Sequence, residues 1–372
     1  MKSFLMLSIA LMLTAQAHAI GSLTLDMRTD MTSQTYNDDA KAAGAGVNNY
    51  RFNFQTARLD YKGNLNDSVS FRTRIRFAGK NQENIDKRDG SNSTLDFAYA
   101  TEKFSDMLKL TIGKLSSEIG GFESVTPGAD NYYNSEAYSG TAYLGKTAAS
   151  GNANLAGFSN LQYLTGAKLG FTFDTRELSF IVANLDNRTV RIPASTNGDV
   201  LEGGKLAQNK SLLGLSYRST LMNKFLTTYA SYHTETLAED TKANFTGAGF
   251  QMNMNPFMLQ LEYLANYSEF LSGTTVLKDS LSSLQLRTTY NIDEQSVFGL
   301  RATSSEEKID AATAFKNKYM TVGASLEFKP KADDIYRYHV AYNTRTETPE
   351  SGDNRNLNEV IFGMRISADF LK

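Results

Sequence analysis

Val69-Ser70-Phe71-Arg72-Thr73-Arg74-Ile75-Arg76-Phe77 alternates without a break: Val69, Phe71, Thr73, Ile75 and Phe77 take one phase, Ser70, Arg72, Arg74 and Arg76 the other. Successive side chains of a strand point to opposite sides. One face of this strand therefore suits lipid, while the other carries three cations that only a protein or aqueous interior can accommodate. An apolar exterior around a polar interior is the pattern of a membrane-spanning barrel. A charged interior implies passage of ions or small polar solutes.

Sixteen runs alternate in this way. The first eight are residues 22–30, 49–62, 68–77, 94–104, 108–113, 160–173, 178–185 and 210–218. The second eight are 225–235, 244–252, 257–267, 281–290, 296–303, 318–328, 335–345 and 357–370. An even count is what a single-chain bacterial barrel requires. Seven connections are short, such as Gly63-Asn64-Leu65-Asn66-Asp67, and they alternate with eight that read as mostly longer. Short periplasmic turns and long external loops are the outer-membrane arrangement. All five prolines fall in connections, as strands that need every ladder donor demand. A soluble sandwich also alternates, but it needs a continuous core and seldom runs to this many strands with one-sided loop lengths. The sequence thus reads as all-β, a transmembrane antiparallel β-barrel of about sixteen strands.

Ahead of the first run, Lys2 precedes the apolar stretch Phe4 to Leu13, and Ala17-His18-Ala19 has the small-x-small form of a signal-peptidase site. Residues 1–19 are expected to be a signal peptide and 20–372 the barrel. Cleavage removes 19 of the 372 residues and leaves 353, with 37 basic and 40 acidic side chains and a net charge of −3. That balance points to no nucleic-acid partner. No later apolar run reaches the roughly 20 residues of a spanning helix. The mean hydropathy of −0.37 fits a barrel, in which only half of each strand faces lipid. Cysteine is absent, which removes disulfides, thiolate metal sites and a lipidated Cys. Tryptophan is absent too, so an aromatic girdle must use the 19 Tyr and 22 Phe.

Two segments narrow the class. Ala57-Arg58-Leu59-Asp60-Tyr61-Lys62-Gly63-Asn64-Leu65-Asn66-Asp67-Ser68 resembles the hairpin between the second and third strands of Gram-negative outer-membrane porins. Leu110-Thr111-Ile112-Gly113-Lys114 is similar to the end of their fifth strand, with Lys114 where the family usually has Arg, and Glu118-Ile119-Gly120-Gly121 is similar to the Glu-Phe-Gly-Gly that follows. The last run, Val360 to Phe370, resembles their C-terminal assembly signal, although Leu371 and Lys372 follow the aromatic. The resemblance implies a sixteen-stranded homotrimeric porin in the outer-membrane lipid, with its third external loop folded into the lumen and no cofactor.

The fifth connection, residues 114–159, is far longer than the roughly 12 to 15 residues usual for a structureless loop. It carries Glu118, Glu123, Asp130 and Glu136 against Lys114 and Lys146. Arg58, Arg72, Arg74 and Arg76 point inward from adjacent strands and form a basic wall. An acidic loop opposite a basic wall would set a transverse field across a constriction, and such charges govern solute selectivity. Arg51 joins this wall across a phase slip near Gln55 and Thr56, where a bulge is expected. The plainer alternative is that these arginines pair with neighbouring carboxylates. Elsewhere the inward phase holds Lys109, Lys168, Arg218, Arg287, Arg301, Arg337 and Arg365 against Asp26, Asp96, Glu262, Glu327 and Asp369. Basic residues predominate, which favours mild anion preference despite the negative total. A phosphate-selective porin is a related reading that the arginines fit and the acidic loop does not.

Two other classes compete. A barrel enzyme would have to use His233 or His339, and neither sits in a recognisable catalytic motif. An adhesin or purely structural barrel would use external loops such as 184–209 to bind a partner. A 22-stranded plugged transporter needs a longer chain. The function expected is a passive, water-filled channel for ions and small hydrophilic solutes.

Overall fold

The computed structural model describes residues 20–43, 47–79, 91–126, 130–139, 161–184, 211–238, 241–272, 275–310 and 315–371. The expected signal segment 1–19 lies outside them, as do parts of the long fifth connection.

Alternation becomes a closed sheet of sixteen strands. These are β1 (Ile20–Tyr36), β2 (Asn49–Asn64), β3 (Val69–Gly79), β4 (Ser91–Lys103), β5 (Leu108–Ser116), β6 (Tyr163–Phe173), β7 (Arg176–Asn184) and β8 (Ser211–Leu221). The second half comprises β9 (Leu226–Ala238), β10 (Thr241–Met254), β11 (Phe257–Ser272), β12 (Thr275–Asn291), β13 (Ser296–Asp310), β14 (Phe315–Phe328), β15 (Tyr336–Thr348) and β16 (Arg355–Leu371). Each strand pairs antiparallel with its sequence neighbours, and β1 closes the ring on β16, with Leu25 opposite Ala368 on one side and Leu59 on the other. Closure leaves no sheet edge, so every ladder group in a lipid environment finds a partner. Among the described residues, three short helices accompany the strands: α1 (Asp38–Ala42), α2 (Phe122–Val125) and α3 (Glu136–Ser139).

The outer surface follows the sequence phase. Leu284, Leu286, Leu300, Leu326, Val340 and Phe362 are exposed on it, while Phe257, Tyr290, Phe298 and Phe328 stand beside the short connections. The rings of Phe257 and Tyr290 lie 4.6 Å apart. Several short turns are held by a side chain acting for the backbone. Asn66 Oδ1 accepts from the N–H groups of Ser68 (2.9 Å) and Val69 (2.7 Å), and Asp293 Oδ1 from those of Gln295 (2.8 Å) and Ser296 (2.6 Å). These N–H donors hold the Asp293 carboxyl below the usual aspartate range.

The phase slip in β2 is a bulge. Arg28 faces Thr56 while Thr29 faces Phe54, so Gln55 has no opposite residue. Tyr50 and Phe52 are thereby turned outward at 80% and 81% exposure, and Arg58 inward at 8%. A second bulge, which alternation alone does not reveal, lies in β4: Arg74 faces Phe97 and Ile75 faces Leu95. Asp96 is the extra residue, and both Asp96 (1% exposed) and Phe97 (5%) are buried while Leu95 (41%) is exposed.

Three connections expected to be longer, 236–243, 268–280 and 304–317, are largely strand. Residues such as Glu306, Lys308 and Lys316 lack the apolar alternation because they continue the ladder beyond the apolar band, where outward positions need not be apolar. Glu306 pairs there with Lys308 (2.6 Å) and Lys316 (2.8 Å).

Candidate functional site

The pairing of β2 with β3 sets Arg58 directly opposite Arg76 and Lys62 opposite Arg72. Like charges facing each other across a ladder repel, so the wall needs compensating groups. Asp60 supplies one: its Oδ1 accepts from Arg72 Nε at 2.8 Å, and its Oδ2 from Arg72 Nη2. The bulged Asp96 supplies the other, with Arg76 at 3.0 Å and Arg74 at 3.6 Å. Four guanidiniums against two carboxylates leave this cluster at +2. Arg51 lies opposite Thr32, on the buried side of β1 beyond the Gln55 bulge. The plainer sequence alternative, pairing with neighbouring carboxylates, thus accounts for half of the four charges.

Each of the four acids of the fifth connection is engaged by groups outside the β2–β3 wall. Glu118 accepts from Lys168 on β6 and from Ser216 on β8 (2.6 Å). Glu123 accepts from the backbone N–H (2.8 Å) and hydroxyl (2.6 Å) of Ser135 and lies 3.5 Å from Arg301 on β13. Asp130 accepts from both Arg337 on β15 and Arg365 on β16. Glu136 accepts from Ser305 (2.6 Å) and pairs with Arg345 at 3.3 Å. Among the described residues no ion pair joins these acids to Arg72, Arg74 or Arg76. Inward cations on β6, β13, β15 and β16 take up the acids, and the β2–β3 wall keeps its surplus.

Further bonds tie the same segment to the barrel interior. His233 Nε2 is 2.8 Å from the Ser117 carbonyl, Ser231 donates to Gly120 O (2.8 Å), and Ser283 accepts from Ala137 N (3.0 Å). A Cβ at Gly121 would collide with the carboxylate end of Glu262, which would have to move aside. Ile119, Ala137, Tyr138 and Leu161 pack with the inward Ile181, Leu212, Phe245 and Leu264 in one buried apolar cluster. Each fully buried aliphatic side chain is worth about 1.5 to 3 kcal/mol. Polar alternation does not announce this cluster. Its only sequence signal is apolar residues such as Ile181 and Phe245 on the phase otherwise reserved for polar ones.

Nearby, Arg28, Asp30 and His339 form a buried network that the sequence reading missed. Arg28 donates to both carboxylate oxygens of Asp30 (3.0 and 2.7 Å), and His339 Nε2 meets Asp30 Oδ1 at 2.8 Å. Arg28 also donates to Asn131 O at 2.8 Å, with its guanidinium 4.6 Å from the Tyr132 ring. Among the described residues no cluster of His, Asp and Glu is placed to hold a metal ion.

Burial pushes the Glu123 carboxyl up, against Arg301 and Ser135. Burial also works on Glu118, but the Lys168 ammonium and the Ser216 hydroxyl outweigh it and hold that carboxyl below the usual range. Because the folded value is depressed, the stabilisation is present above the ordinary glutamate value of 4.5 and is lost as pH falls below it. Single-channel recordings of decreasing pH should therefore show a conductance change below pH 4.5 that Glu118→Gln lacks. A step of equal size in the variant would remove Glu118 as its origin.

A search of curated protein sequences finds no match. Among solved structures, the outer-membrane channel DcaP of Acinetobacter baumannii is 14% identical with a TM-score of 0.66, over 95% of this chain and 98% of that one. Salmonella typhi OmpF, solved with daunomycin, is 14% identical at 0.62, over 95% and 99%. An anion-selective porin from Comamonas acidovorans is 12% identical at 0.59, over 94% and 100%. Identities this low speak for the fold alone. Residues 25–298, from β1 into β13 and so most of the chain, match the phosphate-selective porin O and P family, and the protein belongs to it.

Proposed function

We propose that this outer-membrane porin prefers anions, and that residues 114–159 form its constriction, with Glu118, Glu123, Asp130 and Glu136 holding that segment in place rather than facing the ion path. The observation that carries the reading is the unmatched +2 of the Arg58, Arg72, Arg74 and Arg76 cluster while all four acids are engaged with other cations. Solutes respond to local potential more than to total charge. Arginine suits this because it stays ionised across the accessible pH range. Residues 1–19 act as the export signal, and the working unit is a homotrimer. Catalysis has no part in this reading, which takes His233 and His339 as hydrogen-bonding partners of Ser117 and Asp30.

The test is the reversal potential of the purified trimer in a planar bilayer under a potassium chloride gradient. An anion-selective sign is expected; a cation-selective sign would overturn the proposal, and electrically silent protein would favour an adhesive or structural barrel. Phosphate selectivity is a second reading, favoured by the clustered guanidiniums. It requires that inorganic phosphate block the chloride current at concentrations where sulfate does not.

A further inference from the structure

We propose that Phe97 is a positioning residue for selectivity: its ring is the platform that holds Arg74, and secondarily Arg72, facing the ion path. This rests on the anion-preferring reading of the β2–β3 wall and adds an uncharged determinant to it.

The three arginines of β3 are not held alike. Arg72 has the two-oxygen clamp of Asp60, and Arg76 has Asp96 at 3.0 Å. Arg74 reaches Asp96 only at 3.6 Å, beyond a hydrogen bond, and its Nε has no hydrogen-bond partner. What surrounds Arg74 instead is aromatic. Its guanidinium carbon lies 4.1 Å from the centre of the Phe97 ring and 5.6 Å from that of Tyr163, whose hydroxyl is 3.4 Å from Nη2. Arg72 lies 4.5 Å from the same Phe97 ring. Phe97 is itself fixed by edge-on contacts with Tyr163 (5.0 Å, 86°) and Tyr99 (5.7 Å, 79°).

The β4 bulge makes this possible. Strict alternation from the exposed Leu95 would turn residue 97 towards lipid, where no guanidinium could reach it. Inserting Asp96 brings a carboxylate and a ring consecutively to the arginine side. Bulges recur where a strand must re-aim a side chain. A guanidinium on an aromatic face keeps its full charge and its N–H edges, whereas one clamped by carboxylate is largely neutralised. Of the three β3 arginines, Arg74 is thus the one whose charge is least compensated and whose orientation depends most on a neutral neighbour.

The experiment compares reversal potentials at low salt for the wild-type trimer, Arg74→Gln, Phe97→Leu, Phe97→Tyr and the double variant Phe97→Leu with Arg74→Gln. Phe97→Leu removes no charge, yet it is expected to lower the anion-to-cation permeability ratio about two- to fivefold. Phe97→Tyr should behave as wild type, and the double variant should match Arg74→Gln, because a platform without its arginine has nothing left to position. Heat-modifiable migration on gels confirms folding of each. Should Phe97→Leu fail to assemble, Phe97→Met, which fills the space without a flat face, takes its place. A wild-type ratio in Phe97→Leu or Phe97→Met beside a shifted Arg74→Gln would overturn the platform while leaving the anion reading intact. No shift in Arg74→Gln itself would sink both.

Discussion

Replacing Arg72, Arg74 and Arg76 together by glutamine should turn the proposed anion preference into a cation preference. The cluster falls from +2 to −1, since Arg58 alone then faces Asp60 and Asp96. Inversion of sign, rather than mere loss of charge, makes this the largest functional effect expected. It should be clearest near 0.1 M salt, where charges act over about 10 Å, and fade at 1 M, where their reach is about 3 Å. The substitution also leaves the buried Asp96 carboxylate without a cation. Adding Asp96→Asn relieves that burden and brings the cluster to zero, so the reversal potential should return part of the way. An unchanged potential at low salt in the triple variant would place the arginines off the ion path.

The largest effect on stability is expected at Asp30. Its carboxylate is shared by Arg28 and His339, and all three side chains are almost wholly buried. Asp30→Ala leaves Arg28 without its carboxylate, and breaking a buried pair in this way costs about 3 to 5 kcal/mol. Urea unfolding in detergent micelles, followed by tyrosine fluorescence, should show the loss. Asp30→Asn, which keeps one acceptor for the guanidinium, should recover part of it. Equal stability of Asp30→Ala and wild type would show that the network is dispensable.

Strand number, closure and most facing directions were legible because a side-chain period of two, set against lipid, leaves a strong trace. The Gln55 bulge was legible for the same reason, as Tyr50, Phe52 and Phe54 conflict in phase with Ala57, Leu59 and Tyr61. The Asp96 bulge was not. Its only trace is the slip between Leu95 and the outward Ala98 and Ala100, residues too small to declare a side. The partners of the four acids were equally hidden. Glu118, Asp130 and their arginines and lysines lie 50 to 235 residues apart, and no local pattern joins them. Inward arginines on β13, β15 and β16 could be named from alternation, but which wall receives the acidic segment depends on how a long connection crosses the barrel.

The ties of Asp130 and Asn131 also bear on the order in which the molecule is made. Arg337 and Arg365 come from the last two strands and Arg28 from the first. The ring shuts where β1 meets β16, joining residues as distant as Asp26 and Arg365, 339 positions apart. Bringing such remote partners together is slow, and nothing local rewards it beforehand. The Asp130–Asn131 part of the inner segment, synthesised in the first half of the chain, therefore has to wait for the C-terminus before it can be secured. A nascent barrel interrupted before its final hairpin has an open seam and an interior segment held only on its β6–β13 side, so sealing the wall and finishing the passage are one event in its biogenesis.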